Sequence, residues 1–210
     1  MTPAIRPARP GDAGFIAANI LSSQRGHRSR GWFDIALAQP ETQVLDFIEK
    51  LAVARQRSWW HASQFIIAEV DGQPAAALCA LPVAGADDAA GVAIKEVAGE
   101  TGLSAREIFR RGAYLDNCWV EAGDGDWLIE HVASLSAYRG RGLVQALIAH
   151  ALAAGKAAGY ATASIPFLIG NDAAERCYAK AGFSLAEEKR DANFEALTGS
   201  PGFRRFARAI

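Results

Sequence analysis

At residues 138–144 the chain reads YRGRGLV. The segment before it, Leu128–Leu135, is an alternating apolar run, and the segment from Val144 onward is apolar at helical spacing. These patterns predict a strand, a glycine loop and a helix. The first N–H groups of such a helix lack partners within it, and the helix dipole is positive there. Two glycines and two arginines add close backbone approach and positive charge. We expect an anion, most naturally a pyrophosphate, at this loop.

Three other kinds of glycine loop are alternatives to an anion-binding site at residues 138–144. A plain structural turn with solvated arginines is the simplest alternative. A dinucleotide fingerprint needs a third glycine or alanine where this chain has Gln145, and an acidic residue about 20 residues later. A mononucleotide P-loop needs Gly-Lys-Ser/Thr, which the sequence lacks. The sequence therefore leaves two interpretations of residues 138–144: an anion-binding loop and a plain structural turn.

Composition narrows the class of protein. The chain has 210 residues, half of them apolar, and a formal net charge of −1. That balance gives no general attraction to nucleic acid or to an anionic membrane. Three cysteines are an odd number without metal-ligand spacing, and the N-terminal segment lacks an apolar signal core. We expect one domain over residues 1–210, in the cytoplasm, with no nucleic-acid or membrane partner and no metal.

The remaining patterns predict a mixed α/β domain. Helices are expected from Asp12, as a cap, and from about Pro40, while the basic segment Ser22–Arg30 is expected to be a loop. Residues 82–126 form a long helical insert, with fragments at Ala93–Ala98 and at Ser104–Arg110, where Ser104 is a cap. The predicted strands are Ala4–Ala8, Gln64–Val70, Gln73–Leu81, Leu128–Leu135, Ala161–Phe167, Ser184–Lys189 and Phe203–Ala209. Asp71-Gly72 predicts a hairpin turn between the second and third of these strands. A further helix is expected from Asn171, as its cap, to Ala181.

Two segments together resemble the GCN5-related N-acetyltransferase (GNAT) superfamily. Arg139-x-x-Gly142-x-Val144 is similar to the acetyl-coenzyme A loop of that family, (Q/R)-x-x-G-x-(G/A). The second segment, similar to a further family motif, is Asn171-x-x-Ala174-x-x-x-Tyr178-x-x-x-Gly182-Phe183. Val144 departs from the family pattern: it keeps its N–H, but its branched side chain crowds the loop. We expect altered cofactor geometry or modest weakening of binding.

The resemblance implies a mostly antiparallel central sheet with helices on both faces. It also implies that acetyl-CoA lies where the strand at Leu128–Ser134 splays from the strand at Ala161–Phe167. Its pantetheine would pair with backbone near Val132–Ser134, and its pyrophosphate would lie on the N–H groups of the loop. The residues expected to bind it are Val132, Ala133, Ser134, Arg139, Gly140, Arg141, Gly142, Leu143, Val144, Asn171 and Tyr178.

The resemblance also assigns catalytic roles. Tyr178 would protonate the departing thiolate, although reference pKa values make this transfer uphill by about 2 kcal/mol. Strand alternation places Glu130 and His131 on opposite faces. Glu130, acting through water, is the preferred base, and His131 is the reserve candidate. Cys177 lies on another helix face than Tyr178, so no covalent acyl-enzyme is expected.

The expected activity is acetyl transfer from acetyl-CoA to a primary amine by direct attack. The acceptor would be a small molecule or a peptide, and the resemblance also allows a homodimer. The insert carries Tyr114, Asp116, Asn117, Trp119 and Glu121, a set suited to a cationic amine with an apolar portion. Trp32, Phe33, Trp59 and Trp60 are interpreted as core or interface residues. The alternative function is a non-catalytic acyl-CoA-binding sensor.

Overall fold

A seven-stranded mixed sheet lies at the centre of the structure, a computed structural model that describes residues 3–210. Its strands are β1 (Ala4–Pro7), β2 (Phe65–Val70), β3 (Gln73–Pro82), β4 (Asp126–Ser134), β5 (Thr162–Leu168), β6 (Ser184–Arg190) and β7 (Gly202–Ala209). The strand order is β1-β2-β3-β4-β5-β7-β6. Only β4 and β5 run parallel, since every other neighbouring pair is antiparallel. The predicted fold class and sheet are confirmed.

Eight α-helices form in the described residues: α1 (Ala13–Arg25), α2 (Trp32–Leu37), α3 (Glu41–Ala52), α4 (Ala86–Thr101), α5 (Ala105–Gly112), α6 (Leu143–Ala157), α7 (Asp172–Lys180) and α8 (Ala192–Thr198). Helices α1 to α5 contribute to one apolar cluster, and α6 and α7 contribute to another. Since the clusters take alternate residues of β3, the sheet is buried on both faces. This double burial explains why β3 is an almost continuous apolar run.

The turn between β2 and β3 follows directly from its two residues. Asp71 has φ +52° and Gly72 has φ +76°, the left-handed backbone that a two-residue hairpin turn requires. Asp and Gly are among the residues that accept this conformation at low cost. The predicted hairpin is confirmed.

The N-terminal part of the chain differs from two predictions. Asp12 makes no side-chain cap to α1. Its carboxylate instead accepts hydrogen bonds from the Arg6 guanidinium at 2.7 and 2.9 Å, which holds the pKa of Asp12 below its usual range. The expected loop at Ser22–Arg30 is also wrong in its first part, because α1 continues to Arg25. Polar residues there reflect a solvent-facing turn of helix, not a break.

Two short helices of the structure were not predicted from the sequence. The two helical fragments predicted in the insert are shorter than the helices that form there. Residues 32–37 form α2, and residues 192–198 form α8, where the Asp191 carboxylate accepts a hydrogen bond from Phe194 N at 2.8 Å. In the insert, α4 runs over Ala86–Thr101 instead of Ala93–Ala98. Ser104 caps α5 as predicted, accepting from Glu107 N at 3.3 Å.

Strands β4 and β5 separate soon after they meet. Their pairing covers Asp126–Leu128 against Thr162–Ser164 and extends no further among the described residues. From Ile129 to Ser134, β4 is therefore paired only with β3. The splayed strands leave a cleft at the point where the glycine loop begins.

A β-bulge in β4 accompanies this separation. Cys79 pairs with Glu130 and Ala77 pairs with Ala133, so the single residue Leu78 faces two residues of β4, His131 and Val132. His131 takes φ +52°, a left-handed conformation that costs a non-glycine residue about 1–2 kcal/mol.

The bulge is held by a buried side chain of α1. Asn19 is 5% exposed, and its Nδ2 donates to the carbonyl oxygen of His131 at 2.6 Å. A buried carbonyl without a partner costs about 1–3 kcal/mol. Asn19 therefore offsets the backbone strain, because its amide gives the carbonyl oxygen of the strained His131 a hydrogen-bond partner.

We expect Asn19→Asp to destabilise the fold, because a carboxylate keeps the shape but cannot donate to this carbonyl. The loss should be about 1–3 kcal/mol, several degrees in Tm. Thermal unfolding measures it, with the exposed Asn193→Asp as the matched control that leaves Tm unchanged. Equal Tm values for Asn19→Asp and the natural chain would show that this hydrogen bond does not support the bulge.

Candidate active site

One cleft of about 1160 Å³ lies between the splayed strands and the glycine loop. It is bounded by residues from both halves of the chain, including the C-terminal end of α1, the bulge of β4 and the start of α6. All residues proposed from the sequence for cofactor binding or catalysis line it: Glu130, Val132, Ala133, Ser134, Arg139, Gly140, Arg141, Gly142, Leu143, Val144, Asn171 and Tyr178.

The glycine loop presents a row of free donors to the cleft. Gly140 and Gly142 have φ +75° and +76°, and Gly142 is the cap of α6. Within the part of the chain that the structure describes, the N–H groups of residues 140–145 have no hydrogen-bond acceptor. A Cβ added at either glycine would meet no atom within 4 Å. The glycines are therefore required for backbone conformation, and the space beside them is open for a ligand.

The two arginines of the loop differ in their contacts. The Arg141 guanidinium lies 5.2 Å from the centre of the Tyr138 ring, a cation–π contact that orients it beside the loop. Arg139 is exposed and lines the cleft. Both therefore add positive charge near the free N–H groups.

The free edge of β4 is a second backbone feature of the cleft. Val132, Ala133 and Ser134 line the cleft, and β5 does not pair with them. An unpaired strand edge can accept a further extended chain through main-chain hydrogen bonds. Such an edge suits the two amides of a pantetheine arm.

Asn171 and Tyr178 are brought to the cleft by α7. The Asn171 side chain caps this helix, and its Oδ1 accepts from Ala174 N at 3.2 Å. Tyr178 is 6% exposed, and its ring packs edge-on against Phe167 at 5.4 Å. Burial raises the pKa of Tyr178, so its hydroxyl stays protonated and available as a donor.

The expectation that Glu130 and His131 point to opposite faces is wrong. The extra residue of the bulge interrupts strand alternation, so both side chains line the cleft, with His131 Nε2 3.8 Å from Glu130 Oε2. The His131 ring stacks on Phe65 at 6.1 Å. Its Nδ1 lies 3.4 Å from the Ser23 hydroxyl.

Burial controls the protonation of this pair. It raises the pKa of Glu130 to about 8, with a further contribution from the negative charge of Asp87. Burial also lowers the pKa of His131 to about 3. At neutral pH both groups are mainly uncharged, so their proximity is not an ion pair. Neither Glu130 Oε1 nor His131 Nε2 has a hydrogen-bond partner among the described residues.

Cys177 also lines the cleft. Gln145 Nε2 donates to the Cys177 carbonyl at 2.7 Å and lies 3.2 Å from its Sγ. Burial raises the pKa of this thiol. A protonated thiol is a weak nucleophile, which is consistent with transfer that does not use an acyl-cysteine.

Several cleft residues were missed as site residues. Trp32, Trp59 and Trp60 line the cleft, whereas Phe33 is fully buried in the core, as expected. Asp87, at the start of α4, also lines the cleft. The signal that could have found it is the pair Asp87-Asp88 within an otherwise apolar segment. Asn117, suggested from the insert, is absent from the lining residues, whereas Tyr114, Asp116, Trp119 and Glu121 are present.

Comparison with known proteins decides the family. The model of the acetyltransferase (GNAT) family matches residues 31–183. This chain belongs to the GNAT acetyltransferase family. Membership of this family supports an acyltransferase enzyme, and the matched region contains both the glycine loop and α7. No curated protein matches the chain.

Solved structures share the GNAT fold over nearly the whole chain. An N-acetyltransferase from Staphylococcus aureus Mu50 is 25% identical, with TM-score 0.67, over 98% of this chain and 100% of the other. Another acetyltransferase has TM-score 0.72 at 16% identity over 99% of both chains. A Drosophila melanogaster polyamine N-acetyltransferase that forms N-acetylagmatine has TM-score 0.55 at 15% identity, over 99% of this chain and 100% of the other.

None of the helices in residues 3–210 is both long and apolar enough to cross a bilayer. The same residues contain no group of three or more His, Cys, Asp and Glu side chains placed to hold a metal ion.

Proposed function

We propose that this GNAT protein transfers the acetyl group of acetyl-CoA to a primary amine by direct attack. The observation that carries the proposal is the shared cleft: six free N–H groups of the loop and the pair Glu130 and Tyr178 line the same cavity. Phosphate binding and proton transfer are thus available in one site.

The backbone around the cleft fits acetyl-CoA. The pyrophosphate would be held by the N–H groups of residues 140–145, with Arg139 and Arg141 supplying charge. The free edge at Val132–Ser134 would hold the pantetheine amides. Val144 keeps its N–H for this role, and its side chain packs against the apolar cluster that includes residues of α6 and α7. When bound, acetyl-CoA supplies a thioester activated toward an amine.

Glu130 is the proposed base, acting through water. Its raised pKa, about 8, is close to the value that suits a base near neutral pH. Its unpartnered Oε1 is free to accept a proton relayed from the amine. His131 is a much weaker base, because burial holds its pKa at about 3. The site therefore favours Glu130 over the reserve candidate.

Tyr178 is the proposed proton donor to the departing thiolate. Its raised pKa keeps the hydroxyl protonated, and the same shift makes complete transfer uphill. We therefore assign the donation to a late stage, when the negative charge on sulfur is nearly complete. Cys177, with its protonated thiol, takes no part in bond formation.

The alternative function is a non-catalytic acyl-CoA sensor, favoured by Val144 where the family has glycine or alanine. Thiol release from acetyl-CoA over a broad panel of amines, together with a binding titration, separates the two. Turnover with any amine supports the enzyme. Binding without turnover supports the sensor, and a failure to bind any acyl-CoA contradicts both.

We expect Tyr178→Phe to lower kcat by about 10²–10⁴-fold, the range typical of a general acid, because the thiolate loses its donor. The dissociation constant of acetyl-CoA should change by less than about twofold, since the ring and its packing on Phe167 are kept. Steady-state kinetics and calorimetry measure the two quantities. Tyr160→Phe, outside the cleft, is the control. An unchanged kcat would remove Tyr178 from the mechanism.

Glu130 also determines how the rate of the reaction should depend on pH. The groups facing Glu130 are Asp87 on α4, Cys79 on β3, His131 and Tyr178, and among these the charge of Asp87 raises the pKa of Glu130. Since the folded pKa lies above its usual value, Glu130 is protonated below about pH 8 and cannot act as a base there.

The kcat/KM of the natural chain should therefore rise through an inflection near pH 8, and Glu130→Gln should lose that inflection together with most of the rate. Glu100→Gln, at the exposed far end of α4, is the matched control and should keep it. The acceptor amine also ionises in this pH range, but its ionisation affects the natural chain and both variants equally. If Glu130→Gln keeps the same acidic limb, the base lies elsewhere.

A further inference from the structure

A smaller cavity of about 330 Å³ opens beside the main cleft. Five residues line both cavities, so the two spaces are adjacent: Trp59, Asp87, Trp119, Glu121 and Pro166. Asp87 and Glu121 can therefore be contacted by a molecule in the main cleft. We term the smaller cavity the acidic side pocket.

The acidic side pocket carries an excess of negative charge. Its lining includes Asp87, Asp88, Glu121 and Asp124 and one cation, Arg205. That cation is already surrounded by carboxylates, with Asp126 at 3.8 Å and Glu187 at 3.5 Å. In the described part of the chain, none of the four lining acids forms a salt bridge. Their charge is therefore available to a ligand.

Local structure explains the positions of only some of these four acids. Asp87 and Asp88 lie in the first turn of α4, where the helix dipole favours acids. Glu121 lies in an irregular segment before β4, so no helix accounts for it. Burial raises the pKa of Asp87, and the negative charge of Glu121 adds to the shift. Burial likewise raises the pKa of Glu130, with a further contribution from Asp87, so the three carboxyl groups lie close enough to influence one another.

Two buried side chains independently point to a ligand. The Glu130 side chain is 10% exposed, and its Oε1 has no partner among the described residues. Trp60 is 4% exposed, and its indole Nε1 is likewise without a partner there. Both side chains line the main cleft. A buried polar atom without a partner is costly, and a bound ligand or water removes that cost.

The walls between the two ends of the cavity are aromatic. Trp59 packs edge-on against Trp60 at 5.7 Å and lines both cavities. Trp119 lies in both linings as well, packed against Phe203 at 5.3 Å. Indole faces attract cations and also cover an apolar chain. The main cleft thus combines the carboxylates of Glu130, Asp87 and Glu121 with apolar, aromatic walls.

We propose that the acceptor is a diamine-type molecule whose reacting amine lies at Glu130 while its second cationic group is held by Asp87 and Glu121, the two carboxylates that line both the main cleft and the acidic side pocket. This inference rests on the proposed acetyl transfer. In that reaction the reacting amine loses one proton to Glu130 and forms the N–C bond, while the C–S bond breaks and the thiolate takes one proton. The second ammonium keeps its proton and stays bound to Asp87 and Glu121.

The test compares α,ω-diaminoalkanes with n-alkylamines of the same carbon number. For the best chain length, kcat/KM should favour the diamine by at least about tenfold, equivalent to about 1.4 kcal/mol. The double variant Asp87→Asn, Glu121→Gln should lose most of this preference, because the KM of the diamine rises relative to the KM of the alkylamine of the same length. High salt should reduce the preference in the natural chain, because the pocket is exposed.

Glu100→Gln, on the same helix and outside both cavities, is the control and should keep the preference. Equal kcat/KM for diamines and alkylamines at every chain length would overturn the inference and leave acetyl transfer intact. An unchanged preference in the double variant would do the same. A failure to turn over any amine would instead contradict the proposed function.

Discussion

The one extra residue of β4 is the constraint on which the site depends. Because His131 and Val132 together face Leu78, strand alternation is interrupted and two neighbouring side chains, Glu130 and His131, reach the same cleft. The strained backbone of His131 is held from α1 by Asn19. Pairing with β5 has already ended at Leu128, which leaves the rest of β4 with a free edge. The hydrogen bond from Asn19 to the His131 carbonyl thus links the packing of α1 in the core to the opening of the cleft.

Charge divides the cleft into two ends. Free N–H groups and two arginines make one end suitable for phosphate, and carboxylates with indole walls make the other suitable for a cationic amine. In the proposed reaction, Glu130 accepts a proton from the amine and Tyr178 donates a proton to the thiolate. Their raised pKa values have the same cause, burial, and keep both protonated in the free protein.

Local patterns predicted the parts of the site that depend on local backbone. The glycine loop, the cap at Asn171 and the hairpin at Asp71-Gly72 were predicted because φ preferences and caps act within a few residues. The bulge was not, because alternation assumes an uninterrupted ladder and the insertion is stabilised by a residue 112 positions away. Asp87 was missed for a related reason: tertiary packing alone brings the start of α4 to the cleft.

Amide hydrogen exchange of the loop tests the central claim most directly. If the N–H groups of residues 140–145 hold the pyrophosphate of acetyl-CoA, adding acetyl-CoA should slow their exchange. The N–H groups around Gly102, a cap with φ +71° outside the cleft, should be unaffected. Unchanged exchange at residues 140–145 in a protein that turns over acetyl-CoA would contradict the account.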